Sequence, residues 1–155
     1  MVPALGFAML GLRKLIFWMI LLVGGYYGLD YVKVHTSSDV VAYKRFAKAL
    51  MEGDHYSVRR ASSKELAAEV LSRNDERMKA YEGARVLLTY YEVVSQNLAR
   101  DGKTSSLVVD QVSRIASGGQ TGIWGDREIR VRHSVELAQE NQIWKVSGFT
   151  DPAMR

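Results

Sequence analysis

Residues 128–138 read EIRVRHSVELA, and this alternation is the part of the sequence that decides the fold. Apolar residues occupy every second position from Ile129 to Leu137, except that His133 takes the central one. Charged or small polar residues fill the positions between. Because successive side chains of a strand point to opposite faces, the pattern predicts a strand with one buried and one solvated face.

The neighbouring sequence divides into further extended segments of the same kind. We predict four strands, over residues 85–98, 104–116, 128–138 and 143–149. Asp-Gly, Gly-Gly and Glu-Asn pairs stand between them, and such pairs are typical of tight turns. Consecutive strands joined by short turns form an antiparallel meander.

The segments before the strands have apolar residues at helical spacing. Asp39 is predicted to cap a helix that ends at Gly53, and a short helical turn follows over residues 54–61. Ser62 and Glu65 match a capping box for a longer helix, whose charged end, SRNDERMK at 72–79, we expect to be frayed and solvated. Helices followed by strands indicate an α+β fold, with amphipathic helices packed on a curved four-stranded antiparallel sheet.

The amino-terminal region has a different character. Residues 15–29 read LIFWMILLVGGYYGL without a charge, directly after the Arg13-Lys14 pair. We predict an uncleaved transmembrane helix, in which Phe17 and Trp18 offer bulky packing surface. No small-x-small cleavage site follows, and no polar stripe breaks the run. A cleaved signal peptide and a buried core helix remain the alternatives. The chain therefore divides into an anchor, 1–35, and a soluble α+β domain, 36–155.

Charge sets the expected orientation of the anchor. Arg13 and Lys14 precede the apolar run, and only Lys33 follows it closely. Because lysine and arginine resist translocation, we predict a cytoplasmic amino terminus and a single pass through the inner (cytoplasmic) membrane. The carboxy-terminal domain would then lie outside the cytoplasm, in the periplasm of a two-membrane bacterium.

Composition excludes several classes of function. The 155 residues carry a net charge of +4, of which residues 1–35 contribute +2, so the domain itself is nearly neutral. No basic face with interleaved aromatics is visible, which argues against a nucleic-acid partner. The chain has no cysteine, and its three histidines, at 35, 55 and 133, lack metal-ligand spacing. We therefore predict no metal, no cofactor and no assembled catalytic set.

Two stretches carry a resemblance to a known family. The run AKALMEGD at 47–54 and the final hairpin VELAQENQIWKV at 135–146, with the long strands between them, resemble the nuclear transport factor 2-like superfamily. The resemblance covers about residues 38–150. It implies a cone-shaped α+β fold with an internal pocket, which some members use for catalysis and others for small ligands. The topology is also similar to that of membrane-anchored assembly factors of type IV secretion machines.

A few residues are candidates for a site. If the apolar face of the third strand lines the cone, His133 near Asp110, Tyr90 or Tyr43 would serve as a base or ligand anchor. The alternative is a hydrogen-bonded core histidine without chemistry. Trp124, in the glycine-rich loop SGGQTGIWG at 117–125, is a candidate partner contact, unless it folds back over the sheet.

Two classes of function stay open. The sequence favours a non-enzymatic interaction or assembly module, tethered to the bilayer and bound to membrane-protein subunits of a larger complex or to a second copy of itself. The alternative is a small-molecule binder or an isomerase-like enzyme that uses the cone pocket. We favour the module because no convergent set of titratable residues is visible.

Overall fold

The computed structural model describes residues 5–83, 85–116 and 127–152. It divides the chain into two compact units, the first ending at Thr36 and the second beginning at Ser37.

The first unit is one helix, α1, Leu5–Thr36. By length and composition its segment Leu15–Thr36 is a candidate membrane span, with a mean hydropathy of 1.5. All side chains from Leu15 to Leu29 are exposed. A helix that is apolar all round is typical of a buried or membrane-embedded segment.

The second unit contains four further helices and a 3-10 turn before the sheet. They are α2 Ser38–Glu52, α3 His55–Ala61, α4 Lys64–Ser72 and α5 Asn74–Met78, followed by the turn Lys79–Tyr81. The strands are β1 Arg85–Leu98, β2 Thr104–Ala116, β3 Arg127–Glu140 and β4 Ile143–Thr150. They form one antiparallel sheet in the order β1-β2-β3-β4. The predicted α+β class and the four strands are confirmed.

The alternation that predicted β3 is present in the structure. His133, Val135 and Leu137 are buried on the inner face, while Arg132 and Ser134 are exposed on the outer face. Inner-face residues of β2 to β4 and the apolar stripe of α2 make the core, which includes Val40, Phe46, Leu50, Leu107, Val109 and Val146. As predicted, β3 has one face in the core and one face toward solvent.

The helices cover the sheet unevenly. Helix α2 packs against β4 and β3, and α3 and α4 pack against β4. The inward residues of β1, such as Thr89 and Tyr91, are only half-buried, whereas those of β3 from His133 to Leu137 are fully buried. One side of the inner face is consequently open.

The helix caps differ from the prediction in register. Ser37, not Asp39, stands at the N-cap position of α2. Asp39 is buried in the first turn, where its Oδ2 accepts hydrogen bonds from Ser105 Oγ at 2.6 Å and Gln96 Nε2 at 2.8 Å. Burial opposes ionisation of this carboxyl, but the hydrogen bonds from Ser105 and Gln96 outweigh it and hold the pKa of Asp39 below its usual value. Gly53 ends α2 with a left-handed φ of 68°, as glycine does most easily.

The start of α4 is also shifted by one residue. Ser63, not Ser62, is the N-cap and accepts a hydrogen bond from the Leu66 N–H at 3.3 Å. Ser62 instead forms an isolated bridge with Val146 of β4, and the Ser63 N–H donates to the Val146 carbonyl at 2.8 Å. The chain between α3 and α4 thus pairs with the outer edge of β4, which satisfies backbone groups that an edge strand would otherwise expose.

The charged run at 72–79 is not wholly solvated. Arg77 and Asn74 are buried, although Asp75 and Glu76 are exposed as expected. The prediction of a solvated helix end is therefore wrong at Arg77, because this side chain turns inward to an ion pair that the local sequence does not reveal.

Candidate functional site

A buried histidine lies at the centre of the inner face. His133 is 0% exposed, and the Tyr43 hydroxyl lies 2.8 Å from its Nδ1. On the other side of the ring, Asp151 Oδ2 lies 3.4 Å from Nε2. Phe149 packs against the imidazole at 62° with ring centroids 4.8 Å apart. The imidazole is thus held between a phenol, a carboxylate and an aromatic ring.

The polar contacts continue from Asp151 across the core. Arg77 donates from Nε to Asp151 Oδ2 and from Nη2 to Gln111 Oε1, both at 2.9 Å. Gln111 Nε2 donates in turn to the Tyr81 hydroxyl at 2.9 Å. Tyr81 then reaches Ser113, whose Oγ lies 3.0 Å from Thr89 Oγ1. We call this set the inner network; its members are Tyr43, His133, Asp151, Arg77, Gln111, Tyr81, Ser113 and Thr89.

The inner network contains a fully buried ion pair. The side chains of Arg77 and Asp151 are 2% and 1% exposed. Removing two charges from water is costly, and direct hydrogen bonds offset that cost only where geometry is good. Among the described residues, Arg77 Nη1 and His133 Nε2 have no hydrogen-bond partner, so the network is incompletely satisfied beside Asp151.

Burial keeps the phenols of Tyr43 and Tyr91 neutral. It raises the pKa of Tyr43 far above the usual tyrosine value and the pKa of Tyr91 to about 12, although the positive charge of Arg77 opposes both shifts. A neutral Tyr43 hydroxyl has a proton to donate to His133 Nδ1. When it does so, Nδ1 is the acceptor of this hydrogen bond.

A second charged cluster lies on the outer face of the same strands. Arg132 forms a two-point contact with Asp110, from Nε at 2.7 Å and from Nη2 at 2.9 Å. Arg130 Nη1 lies 2.8 Å from Glu92 and 3.4 Å from Asp110. The hydrogen bonds from Arg132 lower the pKa of Asp110 despite its burial. We call Glu92, Asp110, Arg130 and Arg132 the outer cluster.

The structure brings together only two of the four predicted pocket residues. Tyr43 bonds to His133, but Asp110 is paired with Arg132 and faces outward. Tyr90 pairs across the sheet with the outward Val112, and the next residue, Tyr91, is the one that packs edge-on against Tyr43 with centroids 5.7 Å apart. The expectation that Asp110 and Tyr90 lie beside the imidazole is wrong, because one step along a strand changes the face.

Sequence reasoning missed the other members of the inner network. Gln111 lies with Val109 and Ser113 on the inner face of β2, but the sequence does not show which face is inner, because the valines Val109 and Val112 lie on opposite faces. Asp151 gave no signal, because it follows the last strand, where no periodicity applies. Arg77 lies in a run of charged residues, a pattern typical of a solvated surface, so its buried ion pair with Asp151 was not predicted.

The open side of the inner face forms a cleft of about 530 Å³. Its lining residues are Lys44, Lys48, Met51 and Glu52 of α2, Met78 of α5, and Val86, Thr89 and Tyr91 of β1. None of the four predicted pocket residues lines it. Thr89, which lines the cleft, is itself a member of the inner network and contacts Ser113. Two other lining residues touch the network: Tyr91 packs on Tyr43, and Met51 Sδ lies 3.4 Å from Gln111 Nε2. The cleft therefore lies directly over the network.

The remaining candidates belong to the anchor and the loop. Phe17 and Trp18 are exposed on α1 with their rings edge-on at 6.4 Å, while the backbone of Arg13 and Lys14 lies in the same helix. Trp124 lies outside the described residues. Within the described part of the chain, no group of three or more histidine, aspartate or glutamate side chains is placed to hold a metal ion.

Comparison with known proteins adds little. A scan of protein-family models finds no match, and a search of curated proteins finds none either. Among solved structures, the chain is similar to the intermembrane-space region of the chloroplast protein ARC6, with 13% sequence identity and a TM-score of 0.26. The match covers 56% of this chain and 63% of that one, so this chain spans less than two thirds of the length of that structure. A likeness of this size carries no argument about function.

Proposed function

We propose that this protein is a single-span, membrane-anchored and non-enzymatic interaction module that helps to assemble a membrane protein complex. The observation that carries the proposal is the exposed apolar surface of α1 from Leu15 to Leu29. Such a surface needs lipid or other membrane helices as partners, and Phe17 and Trp18 give it a shape that another helix can recognise. Membrane-protein subunits and a second copy of the chain are the partners that this surface fits.

The inner network supports a non-enzymatic function. His133 contacts both Tyr43 and Asp151, all three residues are buried, and none of them lines the cleft. A general base must come within hydrogen-bond reach of its substrate. The contacts of His133 are instead those of a residue that holds β3, α2 and the segment after β4 together.

The proposal also includes a specific fold type and a membrane orientation. A cone of the nuclear transport factor 2-like type accounts for helices packed on one side of a four-stranded meander. The Arg13-Lys14 pair before the span favours a cytoplasmic amino terminus in the inner membrane and a periplasmic domain. A reporter fused after Arg155 should then be active only when it requires export, and activity confined to the cytoplasm would contradict this orientation.

Replacement of the span tests the module. Residues 15–29 are exchanged for an equally long polyleucine segment, which still spans but removes the bulky and small side chains of the natural helix. We expect the chimera to stay in the membrane and to lose most of its co-purifying subunits. A Trp124→Ser variant should weaken the same association.

The matched control is His133→Asn, checked for folding by circular dichroism. If the protein is an assembly module, the folded His133→Asn variant should still perform its function in cells. A folded His133→Asn protein without activity, together with a fully active polyleucine chimera, would favour the isomerase-like alternative instead.

A further inference from the structure

We propose that the cleft over the inner network binds a small arylalkyl carboxylate, a ligand with an aromatic ring and one acidic group on a short alkyl chain. The cleft exists because α2, α3 and α4 pack toward β4 and β3 and leave the inner face of β1 partly uncovered. Its volume of about 530 Å³ lies within the range of ligand pockets, roughly 300–1,000 Å³. The site is separate from the membrane contacts of the proposed function.

The walls of the cleft fit an aromatic ring. Met51 and Met78 approach it from α2 and α5, and Val86 and Tyr91 approach it from β1. Thioether sulfurs make favourable contacts with aromatic rings, and the flexible methionine chain adapts to ligands of different outline. The Tyr91 ring offers an edge or a face for a second aromatic contact.

The rim of the cleft fits a negative charge. The charged residues Lys44, Lys48 and Glu52 of α2 line the cleft. Lys48 Nζ lies 3.7 Å from Glu52, and these side chains are 70% and 58% exposed. An exposed pair of this kind is weak, so a ligand carboxylate can compete for the ammonium group. Because the Tyr91 phenol stays neutral, it adds no negative charge to oppose the ligand.

The floor of the cleft connects the ligand to the core. Thr89 and Met51 contact the network members Ser113 and Gln111, and Tyr91 contacts Tyr43. Because these side chains are brought together only in the folded domain, a ligand bound there would stabilise the folded state relative to the unfolded one.

The experiment uses the full chain in nanodiscs of zwitterionic lipid, with carbon-13 labels on the methionine methyl groups. The probe is 4-phenylbutyrate, and 4-phenylbutylamine is its matched control of opposite charge. We expect saturable shifts of the Met51 and Met78 methyl signals, no shift of Met19 in the apolar helix, and at least about tenfold weaker binding of the amine. Shifts that fail to saturate, or equal binding of acid and amine, would overturn the proposal.

Two kinds of variant locate the site. Val86→Trp fills the cleft and should lower the affinity for 4-phenylbutyrate at least about tenfold, whereas Val94→Trp, an exposed position of the same strand outside the cleft, should not. Lys48→Glu should lower the affinity for the acid and raise that for the amine without filling the cleft. Wild-type binding by the Lys48→Glu and Val86→Trp proteins would refute the site, and neither result bears on the polyleucine experiment.

Discussion

The two faces of the sheet carry ion pairs of similar geometry in opposite surroundings. On the inner face, Arg77 reaches Asp151 at 2.9 Å; on the outer face, Arg132 reaches Asp110 at 2.7 Å. Arg77 is almost fully buried, while the Arg132 side chain is 61% exposed. Bond length therefore does not distinguish the pairs, but access to water does. The outer arginine keeps most of its hydration, and the inner one depends on its protein partners.

The largest expected effect comes from breaking the inner pair. Asp151→Asn leaves the buried guanidinium of Arg77 without a counter-charge, and such losses cost about 3–5 kcal/mol. The free energy of unfolding, measured by urea denaturation of the full chain in nanodiscs, should fall by that amount. The double variant Arg77→Met, Asp151→Leu should recover much of the loss, because it removes both charges. A single variant within about 1 kcal/mol of wild type would show that the pair is solvated.

A smaller effect is expected from the phenol of the inner network. Tyr43→Phe removes one hydroxyl and leaves His133 Nδ1 without its hydrogen-bond partner, a loss of about 1–3 kcal/mol. Tyr90→Phe is the matched control, since the same atom is removed from the outer face. The same urea titration should show little change for the control. Equal losses in the free energy of unfolding for the two variants would show that the Tyr43 hydroxyl contributes no more than the Tyr90 hydroxyl of the outer face.

The smallest effect is expected from the outer cluster, and it depends on pH. The lowered pKa of Asp110 means that the native state binds fewer protons than the unfolded state near the usual aspartate pKa of ~3.9. The stabilisation is therefore present above that pH and is lost as the pH falls through the native value. Asp110→Asn should lose less stability than wild type between neutral and acidic pH, as measured by urea unfolding across a pH series. Parallel pH profiles would contradict this assignment.

Periodic features could be predicted from sequence, and the inner network could not. The strands were predictable because alternation and turn pairs are local. The identity of the inner face of β2 was not, because Val109 and Val112, on opposite faces of this central strand, are both fully buried. Asp110 was therefore placed beside His133 in error. Arg77 and Asp151 are 74 residues apart, and no local pattern predicts a contact that only the completed fold makes.

The order β1-β2-β3-β4 determines which contacts of the domain are local in sequence and which are distant. Every strand pairs with its neighbour in sequence, so each hairpin closes only a short loop, at low entropic cost. The contact between Arg77 and Asp151 closes a much longer loop and involves the residue directly after β4. A chain that stops at Thr150 can form all three hairpins and still leaves Arg77 without its carboxylate. Asp151, directly after β4, thus joins the sheet to α5 through a contact that none of the hairpins provides.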